Sequence, residues 1–164
     1  SKRSHLILPI LIKVAQQLPN KFFKATIIGK KFDNLKNLPS NLELINPKNS
    51  VSDRALIYEY LTSNFFVSTS IKEGFGIPFL DAIAFDLYCV VSEISSYKEI
   101  FNEYNSSNCS LIKDHNNENS YVSKIIEIIN NRPLIKGNGK NYIQEYSRIY
   151  EKSKRKLNDF LNQI

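Results

Sequence analysis

Apolar residues recur at helical spacing over the first stretch of the chain. Leu6, Ile7, Ile10, Leu11, Val14, Ala15 and Leu18 share one face, and Pro19 closes the run. This period predicts an amphipathic helix ending near Pro19. The pattern then changes to short apolar runs, Phe23 to Ile28 and Leu42 to Ile45, which predict strands. Pro47 to Ser50 reads as a turn, and Ser52 is placed to cap a helix running to about Thr62. Two more strand-like runs, Phe65 to Ser68 and Tyr88 to Ser92, bracket a helix that opens at Pro78. Ser96 and Glu99 have capping-box spacing for another helix, and Asn108 to Ile112 predicts a last strand. Val122, Ile125, Ile126 and Ile129 predict a helix over Tyr121 to Ile129. The tail from Tyr142 onward again carries apolar residues at helical spacing, through Leu157, Phe160, Leu161 and Ile164.

Strands alternating with helices predict an α/β fold with a parallel sheet, right-handed crossovers and helices on both faces. Ligands of such sheets bind beyond the carboxyl ends of the strands. At 164 residues the chain is most simply one domain, 1–164, with one sizeable core.

One segment at that edge carries chemistry. Glu73-Gly-Phe-Gly-Ile-Pro-Phe-Leu-Asp81 follows a strand directly and sets two carboxylates eight positions apart around a glycine turn. A Gly-x-Gly turn into a helix N-terminus is an anion site, because N–H groups there lack intrahelical partners and the dipole adds positive potential. Pro78 suits the first helical turn. Glycines for phosphate and acids for hydroxyls together suit a sugar nucleotide.

Glu-Gly-Phe-Gly-Ile-Pro-Phe-Leu-Asp-Ala-Ile-Ala, with Val90-Val91-Ser92 and Lys98-Glu99-Ile100 downstream, resembles the signature of retaining family-4 glycosyltransferases. Val51-Ser52-Asp53, Leu56, Tyr60 and Phe65-Phe66-Val67 extend the resemblance upstream, as do Lys2, the first helix and Ile27-Ile28-Gly29. Nearly the whole chain is covered. The resemblance implies a Rossmann-like domain, the C-terminal, donor-binding half of a GT-B fold. It places Glu73 at the donor sugar's hydroxyls, near the reacting carbon. Without it, a loop acid capping the Pro78 helix would account for Glu73 equally simply.

Asp81 matches the acid that holds the ribose hydroxyls. The family has Glu there, one methylene longer, and an Asp in a first helical turn is also favourable through the dipole alone. Gly74 and Gly76 are expected to let the backbone approach the ligand at positive φ. Phe75 and Ile77 belong to the donor loop, as side chains that pack it rather than touch sugar. Lys2 matches the lysine that neutralises the departing diphosphate, and Arg3 could serve instead, with plain solvent exposure as the alternative for both. Gly29 would let the nucleotide pass close by. Two positions depart from the family pattern: Asp86 replaces a glycine and Tyr88 a frequent proline. Asp tolerates left-handed backbone, so a helix end at Asp86 remains feasible.

Composition narrows the setting. Hydrophobic residues make up 42% and charged residues 23%, ordinary values for a soluble globular protein. No apolar run approaches the roughly 20 residues of a membrane-spanning helix, and no secretory signal opens the chain. Cys89 and Cys109 lie in apolar runs and read as buried reduced thiols, which makes the cytoplasm the default location. His5 and His115 read as surface histidines, and no cluster has metal-ligand spacing, so no metal and no cofactor are expected. The net charge of +6 includes a cluster at Lys152, Lys154, Arg155 and Lys156. That cluster reads as a solvated helix face, or as a contact with an acidic bilayer carrying a lipid-linked acceptor. Nothing resembles a nucleic-acid surface.

The family cleft lies between two domains, and this chain matches only the second, without that domain's usual first strand. The expectation is therefore a domain truncated at its N-terminus, with the acceptor-binding domain absent, that binds a nucleotide sugar weakly and does not turn it over. The implied activity of the whole enzyme is transfer of a hexose from a nucleoside-diphosphate sugar to a glycan or lipid-linked acceptor with retention. The setting is polysaccharide biosynthesis, at the inner face of the cell membrane. The alternatives are a non-catalytic module that binds nucleotide sugar or a partner chain, and a nucleotide-sugar epimerase of the same architecture.

Overall fold

The computed structural model describes residues 3–133 except 33, 34, 36, 48, 49, 105 and 106. Lys2, the helix expected from Tyr142 onward and the basic cluster near the end of the chain lie outside these residues. A single 3-10 turn, Ser4–Leu6, leads into helix α1, Ile7–Gln17, whose apolar stripe buries Ile10, Val14 and Ala15. Strand β1 (Phe23–Thr26) pairs in parallel with β2 (Leu42–Ile45). Helix α2 (Asp53–Thr62), β3 (Phe65–Ser68), α3 (Ile77–Ala84) and β4 (Tyr88–Ser92) follow. Helix α4 (Ser95–Tyr104), β5 (Cys109–Ile112) and α5 (Glu118–Asn131) complete the described chain.

Every ladder is parallel, as the alternating elements predict, but the strands form two sheets rather than one. β1 and β2 make the first, and β3, β4 and β5, with β4 central, make the second. No ladder joins β1 to β3 among the described residues. Side chains join the two sheets instead: Phe23 of β1 and Phe65 and Val67 of β3 pack on one cluster with Ile10 and Val14 of α1.

β4 is buried along its whole length, which is why it reads as a continuous apolar run rather than an alternating one. Tyr88 and Val90 point into the cluster formed with α1 and α5. Cys89 and Val91 point into a second cluster built by Tyr60, Phe79, Phe85, Tyr97 and Ile100 from α2, α3, α4 and the turn after α3. Phe79 is fully buried there, its ring 4.9 Å from that of Tyr97, while Tyr60 stacks on Phe85 at 5.2 Å.

Local chemistry sets the element ends. The Ser52 hydroxyl accepts from the Ala55 N–H and caps α2 as its sequence position predicts. Asn117 caps α5, which begins at Glu118, ahead of the expected Tyr121. α3 closes in a Schellman turn: the Asp86 N–H bonds the Ile83 carbonyl at 2.9 Å and the Leu87 N–H bonds the Ala82 carbonyl at 3.0 Å. Asp86 supplies the left-handed residue, φ 61°, and its carboxylate is held by Asn108 at 3.0 Å. The capping box at Ser96 does not form. α4 starts one residue earlier, with the Lys98 N–H on the Ile94 carbonyl, so Ser96 falls inside the first turn and its hydroxyl is buried without a partner among the described residues.

Two asparagines bracket β2. The Asn41 amide donates to the carbonyls of Ala15, Leu18 and Lys21, fastening the end of α1 to the amino end of the strand. At the carboxyl end, the Asn46 amide donates to the carbonyls of Ile27 and Lys30 and accepts from the Phe32 N–H.

Candidate functional site

The segment from Thr69 to Gly76 leaves the carboxyl end of β3 and turns into α3. Gly76 is the N-cap of α3 at φ 84°, a backbone open to glycine and strained for other residues. A Cβ there would lie 2.8 Å from Cε1 of Tyr97, so the bend rests directly on that ring. Gly74 differs from expectation. It is exposed, has no positive φ, and a Cβ would meet nothing within 4 Å. Phe75 and Ile77, expected to pack the loop, are instead 54% and 55% exposed, because the floor of the bend is already occupied by Tyr97 and Ile100.

The anion site is smaller than the sequence suggests. Pro78 has no N–H, and the Phe79 and Leu80 N–H groups are spent on the Gly76 carbonyl at 3.0 and 3.1 Å. Among the described residues, the N–H groups from Gly74 to Ile77 take no part in the hydrogen bonds of loop or helix.

Glu73 is half-buried, and the Ser70 hydroxyl donates to its Oε1 at 2.7 Å. The carboxylate is therefore held by the loop itself and does not cap α3. Asp81 differs more. α3 starts at Ile77, so Asp81 lies in its second turn rather than its first, 8% exposed, and the dipole argument made for it lapses. Arg3 sits at the same edge: its carbonyl accepts from the Thr69 hydroxyl at 2.8 Å, just past β3. Its guanidinium donates to Asn116 and lies close enough to Tyr121 to offset part of the effect of burial on that phenol.

Below the loop runs a set of buried hydroxyls. Ser68 meets the Tyr97 hydroxyl at 3.0 Å, and Ser92, fully buried, meets that of Tyr121 at 2.7 Å. Burial raises both phenols above their ordinary pKa, so each stays protonated and available as a donor at neutral pH.

A second feature was not foreseen from the sequence. A recess of about 380 Å³ opens where β1 and β2 end and α2 begins, lined by Thr26, Pro47, Val51, Ser52 and Glu59 among others. Thr26 Oγ1 donates to Glu59 Oε2 at 2.7 Å across it. The signal was present: two strands ending together against a capped helix N-terminus. Gly29 lies in the loop after β1, exposed at φ 87°, and Asn46 holds that loop on either side of it. α2 connects recess and glycine loop, because the neighbour of Glu59, Tyr60, donates its hydroxyl to the Pro78 carbonyl at the start of α3.

Cys89 and Cys109 stand in direct register on β4 and β5 as thiols, with no disulfide between them. Burial, then the neighbouring Cys109, pushes the Cys89 thiol well above its ordinary pKa. His5 is exposed, whereas His115 is half-buried, with Nδ1 covered and unpartnered among the described residues. Among those residues no group of three His, Cys, Asp or Glu is placed to hold a metal ion. No helix there is long and apolar enough to cross a membrane.

The chain matches the family of glycosyl transferases group 1 over residues 8–150 and belongs to it, as a GT-B-type glycosyltransferase domain. No curated protein matches it. Members of the family take a sugar donor and an acceptor.

Proposed function

We propose that this chain is the donor-binding domain of a retaining glycosyltransferase that moves a hexose from a nucleoside-diphosphate sugar to a glycan or lipid-linked acceptor. The observation that carries this reading is the placement of two half-sites by one helix. The recess beside Glu59 and the loop holding Glu73 are joined through the adjacent residues Glu59 and Tyr60 of α2. The recess lies toward the lower end of the roughly 300–1,000 Å³ range of small-molecule sites, a size suited to the nucleoside. The N–H groups from Gly74 to Ile77 then meet the diphosphate, and Glu73 accepts from the sugar hydroxyls, each bond strengthened by its charge.

In a retaining transfer the bond from the anomeric carbon to the diphosphate breaks on the face at which the acceptor hydroxyl enters, and the departing diphosphate takes up the hydroxyl proton. Charge grows on the diphosphate, and cations near it lower the barrier. Arg3, tied to the end of β3, is the described candidate, and Lys2 stands beside it in sequence. The turnover-competent cleft requires an acceptor-binding domain facing this edge.

Calorimetry with UDP, GDP and their hexose derivatives tests the reading. The sugar forms should bind more tightly than the bare diphosphates. Glu73→Ala should erase that preference while changing stability by less than about 1 kcal/mol. Equal affinities in the unaltered chain would sink it.

One observation favours a second reading, a module that binds nucleotide sugar without turnover. Asp81, the proposed ribose ligand, is almost covered and one turn deeper in α3 than a first-turn acid. Under that reading Asp81→Asn leaves nucleotide affinity unchanged, and no acceptor-dependent release of diphosphate occurs in the full-length protein.

A further inference from the structure

Both ends of the Thr69–Gly76 segment rest on one side chain. The Tyr97 ring, 1% exposed, lies under the N-cap of α3 so closely that a Cβ on Gly76 would stand 2.8 Å from Cε1 and 3.1 Å from Cδ1. The Tyr97 hydroxyl meets Ser68 Oγ at 3.0 Å, at the last residue of β3. Between these anchors Ser70 donates to Glu73 at 2.7 Å, and the Glu73 charge is near enough to bear on the Tyr97 phenol. The ring is itself fixed, tilted against fully buried Phe79 at 4.9 Å.

We propose that Tyr97 is a positioning residue, one that sets the Glu73 carboxylate against the loop N–H groups through its ring under Gly76 and its hydroxyl on Ser68. It touches no substrate. This inference rests on the proposed donor role of Glu73 and adds the part that holds it in place. The physical reason is economy of movement. The segment leaves β3 through buried Thr69 and Ser70, the latter in a β-bridge, but from Ile71 to Phe75 it has no regular structure, and its tip, Gly74 and Phe75, is exposed. A carboxylate on such a segment loses orientation unless both ends are pinned to the same rigid body. A leucine would fill the space under Gly76 but could not also reach β3 with a donor.

The decisive variant is Tyr97→Phe, which keeps the ring and removes the hydroxyl, alongside Ser68→Ala and the double variant. Melting temperature should stay within a few degrees. Preference for UDP- and GDP-hexoses over UDP and GDP should fall about fivefold, the worth of one hydrogen bond, with affinity for the bare diphosphates unchanged. Tyr97→Phe and Ser68→Ala should be less than additive in the double variant, because they share the Tyr97–Ser68 bond, while each also loses a separate contact with Ser70. Amide order parameters of Glu73 and Gly74 should drop from about 0.85 toward 0.6, while β4 amides hold their values.

A uniform loss of stability with loop order unchanged would overturn the proposal and leave Tyr97 as core packing alone. An unaltered chain that shows no preference for the sugar forms overturns the proposed function instead. The order parameters, which need no ligand, still decide whether Tyr97 pins the loop.

Discussion

The two sheets solve the same problem with different materials. On the β3–β5 side the Thr69–Gly76 loop rests on aromatic rings, with Gly76 against Tyr97, Tyr97 against Phe79 and Phe79 against Phe66. On the β1–β2 side the loop after β1 is held by one polar side chain, Asn46, spending its amide on three main-chain partners. β4 buries all five of its residues, whereas among the residues of β1 and β2 only Leu42 is buried. The lesson is that ring packing supports the bend next to the acid, while side-chain amide bonds to the main chain hold the loop after β1. The acid demands a fixed direction, and a recess between two loop ends tolerates adjustment.

Substitutions should separate the two sides. Phe79→Ala empties the centre of the packed side and should cost about 3–5 kcal/mol in urea unfolding. Phe23→Ala, half-buried on the other side, should cost about 2 kcal/mol. If the two cost the same, the contrast in packing has no energetic content. Gly76→Ala meets both a left-handed backbone and the Tyr97 ring. It should cost about 2–4 kcal/mol and abolish diphosphate binding in calorimetry.

Asn46→Ala should cost only about 1–2 kcal/mol, yet weaken UDP and GDP strongly, since the loop that carries Gly29 loses its clamp. The preference for hexose derivatives over bare diphosphates should survive in this variant, because Glu73 is untouched. Loss of that preference as well would mean the two sides act as one unit.

A pH series gives the smallest effect. Cys89, Tyr97 and Tyr121 have raised pKa values in the folded chain, so their contribution is complete below their unfolded values and is lost as pH rises past them. The urea midpoint should hold from neutrality to about pH 8.5, the ordinary thiol value, and then decline, with Cys89→Ala showing a shallower first decline. A midpoint that rises above pH 9 would contradict the buried, protonated state of these groups.

Much of this was legible in the chain. Ser52 capping α2 and the left-handed backbone at Asp86 follow from local chemistry, and the structure has both. The family was legible in the Glu73–Asp81 segment and holds over most of the chain. The division of the sheet was not, because hydrophobic period reports that a strand exists and says nothing of which edge it pairs. Asp81 was placed in the first turn because Pro78 was read as opening the helix, whereas α3 opens one residue earlier, at Ile77. Ser96 had the right spacing for a cap, but Ile94 already supplies the first helical carbonyl. Tyr97 gave no sign at all: its contacts with Ser68 and Gly76 join residues far apart in sequence, which no local pattern encodes.

Glu59 and Tyr60 are consecutive, one bridged to Thr26 across the recess and the other bonded to the Pro78 carbonyl. Because the two residues are adjacent, any turn of α2 that parts Glu59 from Thr26 also shifts the hydroxyl that holds the opening turn of α3. The recess and the start of α3 are thus tied through a single peptide unit of one helix.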